Sequence, residues 1–358
     1  MKSRIASLDF LRGSAAFAVA IPHFFMARQV GMETAETISI LGVEIFFVLS
    51  GYVLAPQILY VTVERPDLRN LGIFLVRRWM RTVPPYLIAL TMVSIVAHQL
   101  FTADFIRYAM YLQNLFFQAN SSDYYSIAWS LSVEEWFYIT FPVFLMLLGR
   151  IVRYPAVPAT LAFIAIVAVI RFAFADWVHW GEAVRRVVVF RLDSIAWGFL
   201  LYLVVERTSI LTFLTPRRAL LVLIVASIAA VMLTKALADG GAWLAFSFHL
   251  YASLFGAACI VAALAFSRVF EMSSLLTQTA FFLGRISYSI YLFHLLVLSA
   301  LMTPLAGVPW QISLVTYLAA TMVVASLMAV AVEAPVLSAR PSYRKDQAEL
   351  VGAVTERG

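Results

Sequence analysis

Two ionisable residues, Arg12 and His23, lie within the first hydrophobic segment of the sequence. An imidazole exchanges protons near neutral pH, and a guanidinium binds carboxylate or phosphate groups through paired hydrogen bonds. Eleven residues separate the two, so a regular helix places them on one face, roughly 16 Å apart along its axis. An arginine at the centre of a spanning helix costs on the order of 3 kcal/mol on insertion scales, so the shared face is expected to line a polar site.

Three later hydrophobic segments carry ionisable residues at a depth similar to that of His23, if the spans alternate in direction. These residues are Glu44 in the second segment, Glu134 in the fourth, and Arg191 and Asp193 in the sixth. An isolated charge in the membrane is costly, whereas a histidine, an arginine and several carboxylates can pair around one cavity. The residues therefore predict a shared cavity. The alternative interpretation is a set of ion pairs that only pack the helices together.

Three arginines without a lysine precede the third hydrophobic segment. Arg77 and Arg81 are four residues apart and Arg78 and Arg81 three apart, so a helix would give them one cationic face. Planar guanidinium groups favour bidentate recognition of phosphate. An ordinary positively charged anchor, or a contact with anionic lipid, explains the same pattern equally well.

A polar stripe runs along the ninth hydrophobic segment. Ser287, Tyr291 and His294 follow one another at helical spacing, which fits either hydrogen bonding between helices or the wall of a cavity. Ser50 is of a type common in helix packing within membranes. His249 lies near the start of a span, where a histidine needs no special role. No metal-ligand spacing, Gly-rich phosphate loop or Ser-His-Asp arrangement is found.

The composition predicts the elements that must hold these residues. Of 358 residues, 63% are hydrophobic and 13% charged, which is typical of an all-α, polytopic membrane protein. Cys259 is the only cysteine, so neither an intramolecular disulfide nor a Cys-based metal cluster can form. About 20 apolar residues cross a bilayer. Ten spans are predicted, at 8–27, 38–60, 83–101, 127–148, 157–175, 188–205, 218–237, 247–266, 280–302 and 310–332.

The distribution of Lys and Arg predicts the orientation. Seventeen fall on one set of loops and tails and five on the opposite set, so the positive-inside rule puts both termini in the cytoplasm of a cell whose inner (plasma) membrane the chain spans. The net charge of +6 is then a topology signal. Residues 1–335 are predicted to form one membrane domain and 336–358 a polar cytoplasmic tail without fixed structure. The aromatic stretch 101–127 is expected to lie on the membrane surface or to fold back as a lid.

The ordered motifs of the chain resemble those of the membrane acyltransferase-3 family, the O-acetylase type that modifies bacterial polysaccharides. The resemblance covers nearly the whole chain. It rests on LDFLRG at 8–13 with His23, GVEIFFVLSGY at 42–52, RWMR at 78–81 with Pro84 and Tyr86, WSLSVE at 129–134 with Phe137 and Tyr138, ISYSIYLFH at 286–294 and, more weakly, RLD at 191–193 with Gly198.

This resemblance implies a bundle of about ten spans that moves an acyl group, often acetyl, from cytoplasmic acyl-CoA to a hydroxyl of a carbohydrate or other envelope acceptor. It implies acetyl-CoA as a donor substrate, no tightly bound cofactor and no nucleic acid partner. The family's residues map onto Arg12 and His23 of the first span, Arg78 and Arg81 of the arginine motif, and Glu134 of the fourth span. Pro22 departs from the pattern and is expected to kink the helix beside His23.

Acyl transfer to an alcohol needs a base, a group that stabilises the oxyanion and residues that bind the donor. On this hypothesis His23 is the base, and a carboxylate supports its imidazolium, Glu134 as first choice and Glu44 as second. Arg12 or Arg191 stabilises the oxyanion or steers the donor.

The remaining candidates bind substrates. Arg77, Arg78 and Arg81 are expected to hold the phosphates of the donor. Ser50, Asp193, Tyr291 and His294 are expected to line the substrate cavity.

Two other functions fit the same residues. A secondary transporter with a polar intramembrane site would use them to bind its solute, but the chain lacks the repeat symmetry typical of that class. A scaffold without catalytic activity would tolerate loss of His23 and of Glu134.

Overall fold

The computed structural model describes residues 4–118, 123–175, 183–213, 215–238 and 242–343, with the backbone alone for 211, 212, 234–238 and 242–247. Throughout these ranges the regular secondary structure is helical, and ten helices are long and apolar enough to span a membrane. The prediction of an all-α bundle of ten spans is thereby confirmed.

Fourteen α-helices follow one another in these ranges. They are α1 Ala6–Ala27, α2 Met32–Leu59, α3 Leu68–Val96, α4 Ala103–Ala109, α5 Ala128–Leu148, α6 Ala156–Phe174, α7 Leu192–Arg207, α8 Ile210–Phe213, α9 Pro216–Ala238, α10 Ala242–Ala265, α11 Ser267–Glu271, α12 Ser274–Met302, α13 Trp310–Met328 and α14 Ala334–Ser338. A π-helical turn, Tyr60–Glu64, extends α2 and another, Ala329–Glu333, joins α13 to α14; a 3-10 turn, Val188–Phe190, precedes α7.

Helix α3 starts fifteen residues before the predicted span 83–101. The side chain of Asp67 caps it by accepting a hydrogen bond from the backbone N–H of Arg69 at 3.1 Å. The helix ends at Val96, and His98 and Phe101 then take left-handed backbone conformations that turn the chain. The arginine motif therefore belongs to the helix itself and not to a loop before it.

The aromatic stretch between α4 and α5 folds back into the bundle. Tyr111 is buried and stacks on Tyr86 of α3, with ring centroids 4.7 Å apart. The hydroxyl of Tyr125, also buried, donates to the carbonyl oxygen of Leu292 at 3.0 Å. Phe116 and Phe117 of the same stretch are exposed, so only part of it packs inside the protein.

Helix α1 lies against α2 and α12, and it stays continuous through Pro22.

The described part of the predicted tail packs on α3. Residues 336–338 complete α14, and residues 340–343 follow without regular secondary structure. The Arg77 guanidinium there donates to the carbonyl oxygen of Pro341 at 2.6 Å and lies over the ring of Tyr343. Residues 344–358 lie outside the described residues.

Helices α2 and α7 cross in backbone contact at two glycines. A Cβ added to Gly51 would lie 1.9 Å from the carbonyl oxygen of Ile195, and one added to Gly198 would lie 1.8 Å from that of Val48. Small residues allow such close crossings in membranes, where van der Waals packing between helices is a main source of association.

Gly51→Ala and Gly198→Ala are therefore expected to lower the free energy of unfolding by at least about 1–3 kcal/mol each, because the helices must separate to admit a methyl group. Thermal unfolding of the purified protein in detergent measures this. Gly72→Ala is the matched control, since no atom lies within 4 Å of its Cβ position. It is expected to be neutral or to stabilise α3 by up to about 1 kcal/mol. Equal effects of all three changes would contradict the close crossing.

Candidate active site

A cavity of ≈ 100 Å³, here called the Arg12 cavity, lies among α1, α2, α3, α5 and α12. It brings together six of the residues predicted from sequence, which are Arg12, Ser50, Arg78, Arg81, Glu134 and Tyr291. Three guanidinium groups face a single carboxylate in the described lining, so the cavity carries excess positive charge.

Arg12 is held at the cavity wall by Asp9, one turn earlier in α1. Its Nη1 lies 3.6 Å from Oδ1 of Asp9, which also pairs with Arg4. A Cβ on Gly284 of α12 would lie 2.5 Å from the same Asp9 oxygen. The contact with α12 thus fixes the carboxylate that orients Arg12.

Glu134 faces the Arg12 cavity and not His23. Its Oε1 accepts a hydrogen bond from Ser50 at 2.8 Å and its Oε2 one from Tyr138 at 3.0 Å. The single cavity predicted for Glu134 and His23 is not found in the described linings, because Glu134 lines the Arg12 cavity and His23 a separate one.

The three arginines of the motif have different partners. Arg78 and Arg81, three residues apart, line the Arg12 cavity, and Arg78 donates to Oε1 of Gln57 at 2.9 Å. Arg77 was predicted to act with them, and an ideal helix places it about 40° from Arg81. Its guanidinium instead donates to the carbonyl oxygen of Pro341 and lies over the ring of Tyr343, so its contact with the C-terminal segment accounts for its place outside the described cavity lining.

His23 lies in a second cavity of ≈ 70 Å³, here called the His23 cavity. Arg185, Arg186 and Glu36 line it, together with Tyr291 and Val43. The last two residues line the Arg12 cavity as well, so the cavities meet at them.

Tyr291 forms the polar part of the boundary between the two cavities. Its hydroxyl oxygen lies 2.6 Å from Oγ of Ser130 and 3.2 Å from the carbonyl oxygen of Ile127. Both contacts tie α12 to the start of α5. The side chain thus separates the two cavities while its hydroxyl stays within reach of each.

The hydrogen bonds around His23 assign its tautomer. Nδ1 lies 2.7 Å from the carbonyl oxygen of Val19, an acceptor, so Nδ1 carries the proton and donates. His294 Nδ1 donates in the same way to the carbonyl oxygen of Tyr291 at 2.8 Å. Nε2 of His294 then faces Nδ1 of His23 at 3.4 Å as an acceptor. Among the described residues no group bonds Nε2 of His23, whose lone pair is available.

The predicted carboxylate support of His23 is not found. In the described residues neither Glu134 nor Glu44 hydrogen-bonds the imidazole; a backbone carbonyl and His294 stand in their place. Glu44 instead accepts a hydrogen bond from Arg191, a fully buried residue.

Two buried ion pairs join helices away from both cavities. Arg191 contacts Glu44 of α2 and Nδ1 of His249 of α10. Arg171 of α6 binds Asp193 of α7 through two hydrogen bonds of 3.0 and 2.8 Å. The described residues that line the two cavities do not include Glu44, Arg191 or Asp193. Packing between helices therefore accounts for these three predicted site residues.

Sequence reasoning missed several residues of the site. Asp9 and Ser130 were inside quoted motifs, and the spacing of Asp9 three residues before Arg12 was a usable signal. Arg185 and Arg186 precede the sixth span, where the sequence shows them only as two of the five Lys and Arg residues of the opposite loops. His249, expected to be interfacial, is buried, and nothing in its local sequence indicates this.

Comparison with known proteins gives a consistent result. The model of the acyltransferase-3 family, described as an acyltransferase domain, matches residues 5–330. The chain is 29% identical over 167 residues to the peptidoglycan O-acetyltransferase OatA of Listeria monocytogenes, a match covering 42% of this chain and 26% of that protein.

A second relative is the O-acetyltransferase OatA of Staphylococcus aureus, 29% identical over 156 residues, which cover 39% of this chain and 24% of that protein. The matched part of the chain spans about a quarter of the length of these relatives. No solved structure matches the chain.

The two glutamates are expected to respond differently to the same substitution. Glu44→Gln removes the carboxylate partner of buried Arg191 and should lower the free energy of unfolding by about 3 kcal/mol. Glu134→Gln keeps an oxygen that accepts from Ser50 and borders a cavity, so its cost should stay within about 1 kcal/mol. Chemical or thermal unfolding of both purified variants checks this, and a larger loss for Glu134→Gln would contradict the assignment.

Proposed function

Because the chain belongs to the acyltransferase-3 family, and is thus an acyltransferase, we propose that it transfers an acyl group, acetyl in the simplest case, from acyl-CoA to a hydroxyl of a carbohydrate or other cell-envelope acceptor. One observation carries the proposal. The Arg12 cavity, rich in anion-binding groups, and the His23 cavity, which holds a base, meet at Tyr291 and Val43. A donor bound in the first can therefore present its thioester to an acceptor in the second.

The donor is assigned to the Arg12 cavity. Arg78 and Arg81 line its mouth on one face of α3, and arginine binds phosphate through its planar fork. Arg12 lies in the same cavity and steers the donor, one of the two roles predicted for it. The positive charge of the lining, opposed only by Glu134 among the described residues, suits a ligand as anionic as acyl-CoA.

His23 is assigned as the general base. Its Nε2 lone pair accepts the proton of the acceptor hydroxyl as that oxygen attacks the thioester carbonyl carbon. When the tetrahedral intermediate collapses, the C–S bond breaks and the imidazolium returns the proton to the departing thiolate. The hydrogen bond from Nδ1–H of His23 to the carbonyl oxygen of Val19 keeps the proton on Nδ1, so the lone pair of Nε2 stays available, and it also stabilises the imidazolium.

The oxyanion needs a donor where the two cavities meet. Arg191 is already bonded to Glu44 and His249, and Arg12 lies on the donor side. Tyr291 borders both cavities, and we assign its hydroxyl this role. Ser130 holds the hydroxyl oxygen at 2.6 Å, and the hydroxyl proton turns from the carbonyl oxygen of Ile127, 3.2 Å away, to the oxyanion.

The proposed orientation puts both termini in the cytoplasm of a cell whose inner membrane the chain spans. The charge distribution of the loops supports it. So does the contact between Arg77, at the same end as Arg78 and Arg81, and the C-terminal segment at Pro341. The donor would then enter from the cytoplasm, and His23 would face the other side.

His23→Ala is expected to lower acyl transfer by about 10²–10⁴-fold while leaving a folded, membrane-inserted protein, because it removes the base and no packing ion pair. Transfer of radiolabel from acetyl-CoA to an envelope polysaccharide or lipid fraction measures this. The matched control is His98→Ala, an exposed histidine that follows α3. Wild-type transfer by His23→Ala would refute the role, and solute uptake into proteoliposomes without CoA would favour a transporter instead.

Arg81→Gln is expected to raise the KM for acetyl-CoA by about tenfold or more, since one charge-assisted contact to phosphate is lost. Arg77→Gln should change this KM by less than about twofold, because the Arg77 guanidinium contacts the C-terminal segment at Pro341 and does not line the cavity. Steady-state kinetics with varied donor and fixed acceptor distinguish the two. A larger effect of Arg77→Gln than of Arg81→Gln would contradict donor binding in the Arg12 cavity.

A further inference from the structure

The His23 cavity carries positive charge that the general base does not need. Two consecutive arginines, Arg185 and Arg186, line it just before the turn Val188–Phe190. Arg186 is neutralised by Asp123, whose carboxylate lies 2.6 Å from its Nη1.

Among the described residues Arg185 has no comparable partner. The carboxylate paired with it there is that of Glu36, 3.9 Å away, beyond hydrogen-bonding distance and on a side chain that is 58% exposed. The Arg185 side chain is only 8% exposed, its Nε has no hydrogen-bond partner among the described residues, and its guanidinium lies over the ring of Trp129 at 5.5 Å. Burial, followed by repulsion from Arg186, lowers the pKa of Arg185 to about 10, so the group stays charged at neutral pH.

A buried cation without an acceptor is costly, and an anion that enters beside it removes the cost. The guanidinium fork matches the oxygens of a carboxylate or a phosphate group. A neutral sugar offers only hydroxyls, which bind a cation much less strongly.

We propose that the His23 cavity recognises an anionic group on the acceptor, with Arg185 as its ligand, so that the acylated hydroxyl belongs to an acidic sugar or a sugar phosphate and not to a neutral sugar. The inference rests on the proposed function and adds the chemical class of the acceptor. Carboxylate and phosphate share the chemistry that Arg185 recognises, and the experiment separates them.

Binding is measured without turnover, by the concentration dependence of thermal unfolding of the full-length protein in detergent. Three probes share one ring and differ in charge: galactose, galacturonate and galactose 1-phosphate. At least one anionic probe is expected to bind about tenfold or more tightly than galactose, and the order of the two anions identifies the preferred group. Equal or tighter binding of galactose, or stabilisation by none of the probes, would overturn the inference.

Two variants with opposite expected signs test the residue. Arg185→Gln should weaken binding of the preferred anion by about ten- to a hundredfold and leave galactose unchanged. Glu36→Gln removes the competing carboxylate from an exposed position and should strengthen anion binding by about two- to fivefold. Arg107→Gln, an exposed arginine paired with Asp104, is the matched control. If Arg185→Gln fails to fold, the Glu36→Gln result decides, and no gain in affinity there would contradict the inference.

The same preparation separates this inference from the proposed function. His23→Ala should still bind the anionic probe more tightly than galactose, while transfer of label from acetyl-CoA to the probe falls by about 10²–10⁴-fold. Probe binding without transfer by the wild type would count against the proposed function alone. Transfer to galactose as efficient as to both anionic probes would count against the acceptor class alone.

Discussion

The arrangement of the bundle depends on the fully buried guanidinium of Arg191. It contacts Glu44 of α2 and His249 of α10, and it lies over the rings of Phe47 and Trp129. An unpaired buried charge is costly, and removing one partner of a buried pair costs several kcal/mol. Four helices must therefore keep their relative positions around this group. The close crossing of α2 and α7 at two glycines also holds these two helices together.

This constraint sorts the ionisable groups of the membrane domain into two sets. Those with a carboxylate partner on a neighbouring helix, such as Arg171 with Asp193, hold the bundle together. Arg12, Glu134 and His23 instead line cavities, where their charge or lone pair is available to substrates. Packing by the first set gives the second a fixed geometry, which preorganised catalysis requires.

The ten helices of spanning length were predictable because hydrophobic length is a local property. Six predicted site residues line the Arg12 cavity, since polar residues within spanning helices tend to face cavities. The division of the predicted residues between two cavities was not predictable, because it depends on how distant helices pack against one another. Arg77 lies close to Arg81 on an ideal helix, so nothing in the sequence indicates that the C-terminal segment binds Arg77 outside the cavity lining. The partner of Asp193 could not be predicted from the sequence either, because the packing of α6 on α7 brings Arg171 to it.

The central claim is that donor and base meet across Tyr291 from two adjoining cavities. A cryo-EM structure of the full chain with a thioether analogue of acetyl-CoA tests it most directly. The account predicts phosphates of the analogue on Arg78 and Arg81, with the pantetheine arm passing Glu134 and the acyl end at Tyr291, on the side facing His23. An analogue bound with its phosphates on Arg185 and Arg186, or away from both cavities, would contradict it.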